Sequence, residues 1–262
     1  LILAIIVISS LWYLYLHKKT NVSLKFLFID NIGVILPVSA FSIFMTMNEF
    51  LNPILVFVIN GILIFGLSFT YTMIRFWRTP RRKVEASENE IISPADGNVL
   101  YVKRYERGEI PVSIKKGLKA NLSELTTVPI LDKEAYWLVG INMTPFDVHK
   151  NCAPIAGEIV LNKHIKGEFL SLKAPDAILR NERNTLVIKN KENDFFGIIQ
   201  TSSKLVKRIE SYVKTGQDIE KGAWFGMIRF GSQVDVIIPI KYKITVEVGQ
   251  QVYAVSSILA SK

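Results

Sequence analysis

Uncharged apolar runs dominate the first third of the chain. No charged residue occurs within 31–48 or within 50–74, and 1–16 is a third apolar run that ends at a basic His-Lys-Lys. A helix needs about 20 apolar residues to cross a bilayer core of about 30 Å. The pattern therefore predicts two to three transmembrane helices, with a tight turn at Asn52-Pro53 between two of them. A signal peptide is the alternative for 1–16, but no small-residue cleavage site follows it.

After residue 84 the pattern changes to short runs separated by glycines. Runs such as 98–103, 136–142 and 234–239 alternate between apolar and polar residues or are wholly apolar, which is typical of strands. The segment 203–212 is one short helical candidate. We therefore expect a mainly β domain of the α+β class behind the membrane helices.

A weak repeat refines this expectation. Residues 213–219 and 246–252 share the pattern Val-x-x-Gly-Gln-x-Ile/Val, which resembles the units of barrel-sandwich folds such as lipoyl and biotinyl carriers. Those carriers need a modifiable lysine, commonly between methionines, and no such tripeptide occurs here, so the likeness concerns the fold alone. The predicted organisation is a membrane anchor at 1–76, a basic juxtamembrane linker at 77–90 and a barrel-sandwich-like domain at 91–262.

Composition and charge agree with a membrane protein. The 262 residues are 49% hydrophobic with a formal net charge of +9 and a mean hydropathy of +0.27, which is too apolar for a disordered chain. Eight lysines and arginines stand against two acidic residues within 1–83. Positive charge that flanks apolar spans indicates a membrane anchor with the β domain on the cytoplasmic face, rather than a nucleic-acid-binding surface. One cysteine and three widely spaced histidines argue against a disulfide framework and a metal centre.

Three stretches contain residues suited to chemistry. They are Ser-Pro-Ala-Asp-Gly at 93–97, Thr-Pro-Phe-Asp-Val-His at 144–149 with Asn-Cys-Ala-Pro at 151–154, and Phe-Gly-Ser at 230–232. Taken singly, the first is a turn signal, the second contains a histidine that a loop could hold for structural reasons, and the third marks a bulge. Their order along the chain is more informative than any one of them.

Together these stretches resemble the phosphatidylserine decarboxylase family of pyruvoyl-dependent enzymes and its archaeal counterparts that act on archaetidylserine. An Asn-Glu-Arg element at 181–183 and the Phe-Trp-Arg-Thr-Pro-Arg junction at 76–81 add to the resemblance, which covers roughly residues 70–245. It implies an enzyme anchored in the cell membrane that releases carbon dioxide from a serine lipid to give the ethanolamine lipid. Diacyl and ether-linked lipids both stay open, and so does a homo-oligomer.

The resemblance also implies site residues and a cofactor. The precursor cuts itself between Gly231 and Ser232, with the Ser232 hydroxyl as nucleophile, His149 as general base and Asp96 holding the imidazole tautomer. Ser232 becomes a covalent pyruvoyl group, which accepts electrons during decarboxylation, and His149 then returns a proton to the substrate. The products are a large chain ending at 231 and a small chain, 232–262. His164, in a His-x-x-Gly-x-Phe stretch, is a candidate substrate contact.

Two departures and three alternatives accompany this prediction. Cys152 stands where the family's bacterial long form has a second histidine, and Gln233 stands where many members have serine or threonine after the cleavage site. The alternatives are a membrane-anchored barrel-sandwich adaptor, a serine hydrolase that stays uncut, and an enzyme that uses Cys152 with His149. The adaptor and the hydrolase both predict one intact chain.

Overall fold

The chain divides into two compact units, Leu1–Trp77 and Arg78–Lys262. The structure is a computed structural model that describes residues 1–20, 24–109, 112–115, 118–121, 135–167, 182–202, 209–229 and 232–262. Within these ranges, the side chains of 112–115, 118–121 and 232 are not described. The two units are helical and strand-rich, respectively, as the change of pattern along the sequence predicts.

The first unit consists of three helices: α1 (Ile2–Thr20), α2 (Leu24–Met47) and α3 (Pro53–Trp77). All three are long and apolar enough to cross a membrane. The predicted turn is confirmed, because α3 begins at Pro53 and the Asn52 side chain accepts a hydrogen bond from the Ile54 N–H at 2.8 Å. Helix α2 does not end at Pro37, and proline is tolerated in this way within long apolar helices.

The described part of the second unit contains sixteen strands. They are β1 (Glu90–Ile92), β2 (Gly97–Tyr105), β3 (Val112–Lys115), β4 (Leu118–Asn121), β5 (Tyr136–Met143), β6 (Lys150–Cys152), β7 (Gly157–Ile165), β8 (Arg183–Lys189), β9 (Phe195–Thr201), β10 (Ile209–Ser211), β11 (Asp218–Ile219), β12 (Trp224–Ile228), β13 (Ser232–Pro239), β14 (Lys243–Ile244), β15 (Gln251–Val252) and β16 (Ile258–Ser261). This confirms the predicted mainly β domain. The helical candidate at 203–212 is wrong over 209–211, which form β10, and 203–208 lie outside the described residues.

The largest sheet is curled into a half-barrel and has the order β11-β7-β8-β9-β13-β5-β2-β15. Strand β13 lies at its centre, antiparallel to both β5 and β9. Both faces are buried: Val234 and Val236 pack into the larger core, while Ile237 packs into a second cluster with Tyr101 and Leu138. Burial on both faces explains why β13 reads as a nearly continuous apolar run. A smaller sheet, β10-β12-β6, holds the segment that follows His149.

The two copies of the sequence repeat form matching turns. Gly216 and Gly249 have φ of 84° and 88°, which favours glycine. In each copy the glutamine after the glycine accepts a hydrogen bond from a backbone N–H three residues earlier, and a two-residue strand, β11 or β15, follows. Each turn also sits beside a bulge of the large sheet, between Ile159 and Leu161 or between Val99 and Tyr101. The residue directly before each glycine, Thr215 or Val248, belongs to the turn.

Candidate active site

The predicted motifs meet at one end of the central strands of the large sheet, and we call this row of strand ends the site edge. Strand β2 begins directly after Asp96, β5 ends at Met143 just before the loop that carries His149, and β13 begins at Ser232. Ser232 pairs with Met143, and Asn98 and Gln233 both pair with Asn142. Because neighbouring antiparallel strands begin and end at shared edges, the three sequence stretches come together here despite separations of about 50 to 135 residues.

Asp96 is fully buried and is held from several directions. The Arg82 guanidinium donates to both carboxylate oxygens, at 2.5 and 2.8 Å. The backbone N–H of Ala254 donates to Oδ1 at 2.8 Å, and that of Val148 lies 3.5 Å from Oδ2. Arg78 is a second guanidinium nearby, with Nη2 3.8 Å from Oδ2. The carboxylate thus fixes the position of the loop segment next to His149.

Arg82 is as firmly bound as its partner. It also donates to the Ala254 carbonyl at 2.8 Å and lies over the Tyr253 ring. Burial alone would lower the pKa of Arg82, but the hydrogen bonds and charge of Asp96 raise it above its ordinary value. The Arg82 guanidinium therefore stays charged, and its hydrogen bonds connect residues 82 and 96 to a segment that belongs to the predicted small chain.

His149 is fully buried, and its Nδ1 lies 2.9 Å from the carbonyl oxygen of Asp147. A carbonyl can only accept, so Nδ1 carries the hydrogen in this contact and Nε2 is the basic nitrogen. The described partner of Nδ1 is thus the Asp147 carbonyl, and the role expected for Asp96 in holding the tautomer stays a prediction. The backbone carbonyl of His149 accepts from the Ile228 N–H at 3.0 Å, which ties the residue to β12.

The turn before His149 is closed by Asp147. Its Oδ2 accepts from the N–H and hydroxyl of Thr144, at 2.7 and 2.8 Å, and its Oδ1 accepts from Gln251 at 3.3 Å. Burial raises the pKa of Asp147, and although the Thr144 hydrogen bonds oppose this, the net shift is upward. These contacts give the histidine loop a defined shape.

The predicted cleavage site lies at the site edge. The backbone of Ser232 starts β13, whereas Gly231 and the peptide bond that precedes Ser232 lie outside the described residues. Strand pairing holds the segment on both sides, to Met143 in β5 from Ser232 and to Thr201 in β9 from Gln233. The roles expected for Gly231 and for the Ser232 hydroxyl stay predictions.

His164 lies away from these groups. It is in β7, and its Nε2 is 2.7 Å from Glu182 Oε1, which also accepts from the Ile209 N–H. Its side chain is 40% exposed, against 8% for Glu182. Three spacings of about 4.8 Å separate β7 from β13, so the backbones are about 14 Å apart. Its role as a substrate contact stays a prediction.

Cys152 is buried, and its thiol lies 3.4 Å from the Ser93 carbonyl. Burial raises the pKa of Cys152 to about 12, so the thiol stays protonated near neutral pH and is a poor nucleophile. The structure therefore favours packing over the Cys152–His149 alternative. Across the described ranges, no cluster of three His, Cys, Asp or Glu side chains is arranged to hold a metal ion.

Sequence reasoning missed two residues of the site. Asp147 has a local signal, since Thr-x-x-Asp is a pattern that closes a turn by reciprocal hydrogen bonds. Arg82 has none, because it reads as one member of a basic run and its partners Asp96 and Ala254 are 14 and 172 residues away.

Comparison with known proteins identifies similar chains. A family model described as phosphatidylserine decarboxylase matches residues 69–260. A protein of Methanocaldococcus jannaschii named archaetidylserine decarboxylase proenzyme is 42% identical over 187 residues, covering 71% of this chain and 88% of its own. Phosphatidylserine decarboxylase proenzymes of Nitrosomonas europaea and Burkholderia ambifaria are 33% and 31% identical over 188 residues, covering 72% of this chain and 77% and 78% of theirs.

Proposed function

The chain belongs to the phosphatidylserine decarboxylase family of carboxy-lyases, and on this premise we propose that it is a pyruvoyl-dependent decarboxylase bound to a membrane. Its substrate is a lipid of the phosphatidylserine or archaetidylserine type, and its products are the ethanolamine lipid and carbon dioxide. The observation that carries the proposal is the meeting of Asp96, the His149 loop and the start of β13 at the site edge.

The first reaction is self-cleavage. The Ser232 hydroxyl attacks the Gly231 carbonyl carbon, His149 Nε2 accepts the hydroxyl proton and returns it to the leaving nitrogen, and the peptide becomes an ester. Removal of the Ser232 Cα proton then breaks the ester C–O bond, leaving a carboxylate on Gly231. The unsaturated residue 232 hydrolyses to a pyruvoyl group with release of ammonia. The Nδ1 contact to Asp147 supports this role, because it leaves Nε2 as the base.

The residues around the start of β13 fit a pyruvoyl group at residue 232. Strand pairing to β5 and β9 supports retention of a new terminus at 232 after the preceding bond is cut. Asp96 and Arg82 bind Ala254 on both its N–H and its carbonyl, so they also retain the small chain. The ketone supplies the electron acceptor for loss of carbon dioxide. His149 is the candidate to deliver a proton to the substrate carbon afterwards.

The three apolar helices support a membrane location, since most of their surface is apolar and unburied. Arg75, Arg78, Arg81, Arg82 and Lys83 cluster at and after the end of α3, and basic residues of this kind stay on the cytoplasmic side. We therefore place the strand-rich unit on the cytoplasmic face, where lipid head groups are accessible to it.

The Ser232→Ala variant tests the proposal, with Ser256→Ala, an exposed serine of the same small chain, as its matched control. Denaturing gels of the wild type and of Ser256→Ala are expected to show the fragment 232–262, and mass spectrometry is expected to find a keto acid at its first position. Ser232→Ala is expected to stay uncut and inactive. An intact wild-type chain that still decarboxylates the lipid would overturn the proposal, and an intact, inactive chain would favour the adaptor or the hydrolase.

A further inference from the structure

Two arginines lie beside one buried carboxylate, and they are held differently. The described contacts of Arg82 go to both oxygens of Asp96 and to the Ala254 carbonyl, and its side chain is 17% exposed. Arg78 donates to the Phe146 carbonyl at 3.2 Å, stands 3.8 Å from Asp96, and is 33% exposed. Arg82 is therefore the more enclosed of the two, whereas Arg78 is the more accessible member of the same cluster.

The loop that Arg78 contacts is the one that carries the proposed base. Phe146 is three residues before His149, and the intervening Asp147 carboxylate is bonded by Thr144 and Gln251. The described hydrogen bonds to the Asp147 carboxylate thus come from neutral donors and not from Arg78. A guanidinium at this position is suited to hold an anionic ligand close to the histidine loop.

The position of Arg78 in the chain indicates which anion it meets. It directly follows Trp77, the last residue of α3. Tryptophan at the end of a membrane span is typical of the interface, where lipid phosphates lie. Adjacent Cα atoms are about 3.8 Å apart, so the Arg78 backbone lies within one residue of the end of this span.

We propose that Arg78 binds the phosphodiester of the substrate lipid while the serine part of the head group reaches the site beyond it. This inference rests on the proposed function and adds to it the residue that recognises the phosphate. A guanidinium can give two parallel N–H bonds to one phosphate, which lysine cannot. Self-cleavage involves no phosphate. Loss of Arg78 should therefore weaken substrate binding more than it affects self-cleavage.

Arg78→Gln and Arg78→Lys test this assignment, with Arg81→Gln as the control from the same basic run; Arg81 is exposed. Each full-length variant is purified in detergent, and its self-cleavage is scored on gels. Kinetics follow with phosphatidylserine in mixed micelles. We expect cleavage in all three, a KM about tenfold higher in Arg78→Gln with kcat little changed, a smaller increase in Arg78→Lys, and a wild-type KM in Arg81→Gln.

A second arm identifies the ligand chemistry. Glycerophosphoglycerol is a phosphodiester without acyl chains or an amine, and it should compete with substrate in the wild type and in Arg81→Gln but not in Arg78→Gln. Inorganic phosphate should compete more weakly than the diester. If inorganic phosphate competes while the diester does not, the site binds free phosphate and the assignment to the lipid is wrong.

A third readout separates this inference from the proposed function. Methoxyamine reacts with a ketone and contains no phosphate, so mass spectrometry should find its adduct at equal rates in the wild type and Arg78→Gln. A wild type without the adduct contradicts the proposed function itself. An unchanged KM and unchanged inhibition in Arg78→Gln overturn the phosphate assignment, and so does loss of self-cleavage in both Arg78 variants, which would place Arg78 in the cleavage machinery.

Discussion

Each unit of the chain contains a buried aspartate whose two oxygens both accept hydrogen bonds from one arginine, Arg75 through Nε and Nη2 and Arg82 through Nη1 and Nη2. In the helical unit, Arg75 of α3 donates to both oxygens of Asp30 in α2, at 2.7 and 2.8 Å. In the strand-rich unit, Asp96 receives Arg82 and also backbone N–H groups from distant segments. The first pair joins two helices, whereas the second arranges loops around the candidate site. The same interaction therefore stabilises packing in one unit and shapes the site in the other.

The two pairs lie in units that distribute their apolar side chains in opposite ways. Most of the large apolar side chains that stay exposed belong to the helices, and most of the buried apolar ones belong to the strand-rich unit. A helix with an apolar exterior and polar residues inside is what a lipid environment favours. Asn31 with Ser9 and Asn60 with Ser42 add such internal hydrogen bonds. Removing the charge from each aspartate in turn should therefore have different consequences in the two units.

The largest effect is expected from Asp96→Asn. Losing one partner of a buried ion pair leaves the other charge uncompensated and costs about 3–5 kcal/mol. Since Asp96 also orders the segment before His149, we expect little or no fragment 232–262 on gels and a lower unfolding temperature. Asp218→Asn, at an exposed carboxylate, should behave like the wild type in both measurements. Normal cleavage in Asp96→Asn would show that the site does not need the pair.

Asp30→Asn should have a smaller effect of a different kind. The partly buried Arg75 guanidinium would lose the charged acceptor of both its described hydrogen bonds, which costs about 1–3 kcal/mol and more for a charged group. The helical unit should therefore unfold at lower detergent or heat stress, as followed by circular dichroism of the reconstituted chain. Self-cleavage should continue, because Asp30 lies outside the strand-rich unit. An Asp30→Asn chain that is stable but uncut would remove the distinction between the two pairs.

The sequence predicts the two architectures well and the site only in part. Apolar runs and the Asn52-Pro53 turn are local signals, so the three helices and the mainly β domain follow from pattern alone. The Asp96–Arg82 pair does not, because it depends on how strands return to the site edge. The Nδ1 partner of His149 could not be predicted either, because it is a backbone carbonyl, and every residue type has one.

Gly140→Ala should disturb the centre of the strand-rich unit more mildly. An added Cβ would lie 2.4 Å from the Tyr101 ring, which crosses Gly140 so that its hydroxyl reaches Asp235 on β13. Gly140 in β5 pairs with Tyr101 in β2 and with Asp235 in β13. The absence of a side chain at residue 140 therefore leaves room for the ring. Overpacking of this kind costs about 1–3 kcal/mol. Thermal unfolding should detect the loss, and an unchanged midpoint would mean that the ring moves without cost.

The smallest effect, and the opposite sign, is expected for Gly66→Ala in α3. A Cβ there meets no atom within 4 Å, and alanine is favoured over glycine in a helix by about 0.5–1 kcal/mol. We expect a slightly higher unfolding midpoint in detergent. Gly33→Ala is the matched contrast in α2, because its Cβ would lie 2.7 Å from the Tyr71 hydroxyl of α3. It should lower the midpoint. If both substitutions destabilise the chain, the open face of α3 at Gly66 packs closely against another surface in the assembled protein, and the contrast between an apolar exterior and a packed interior does not hold there.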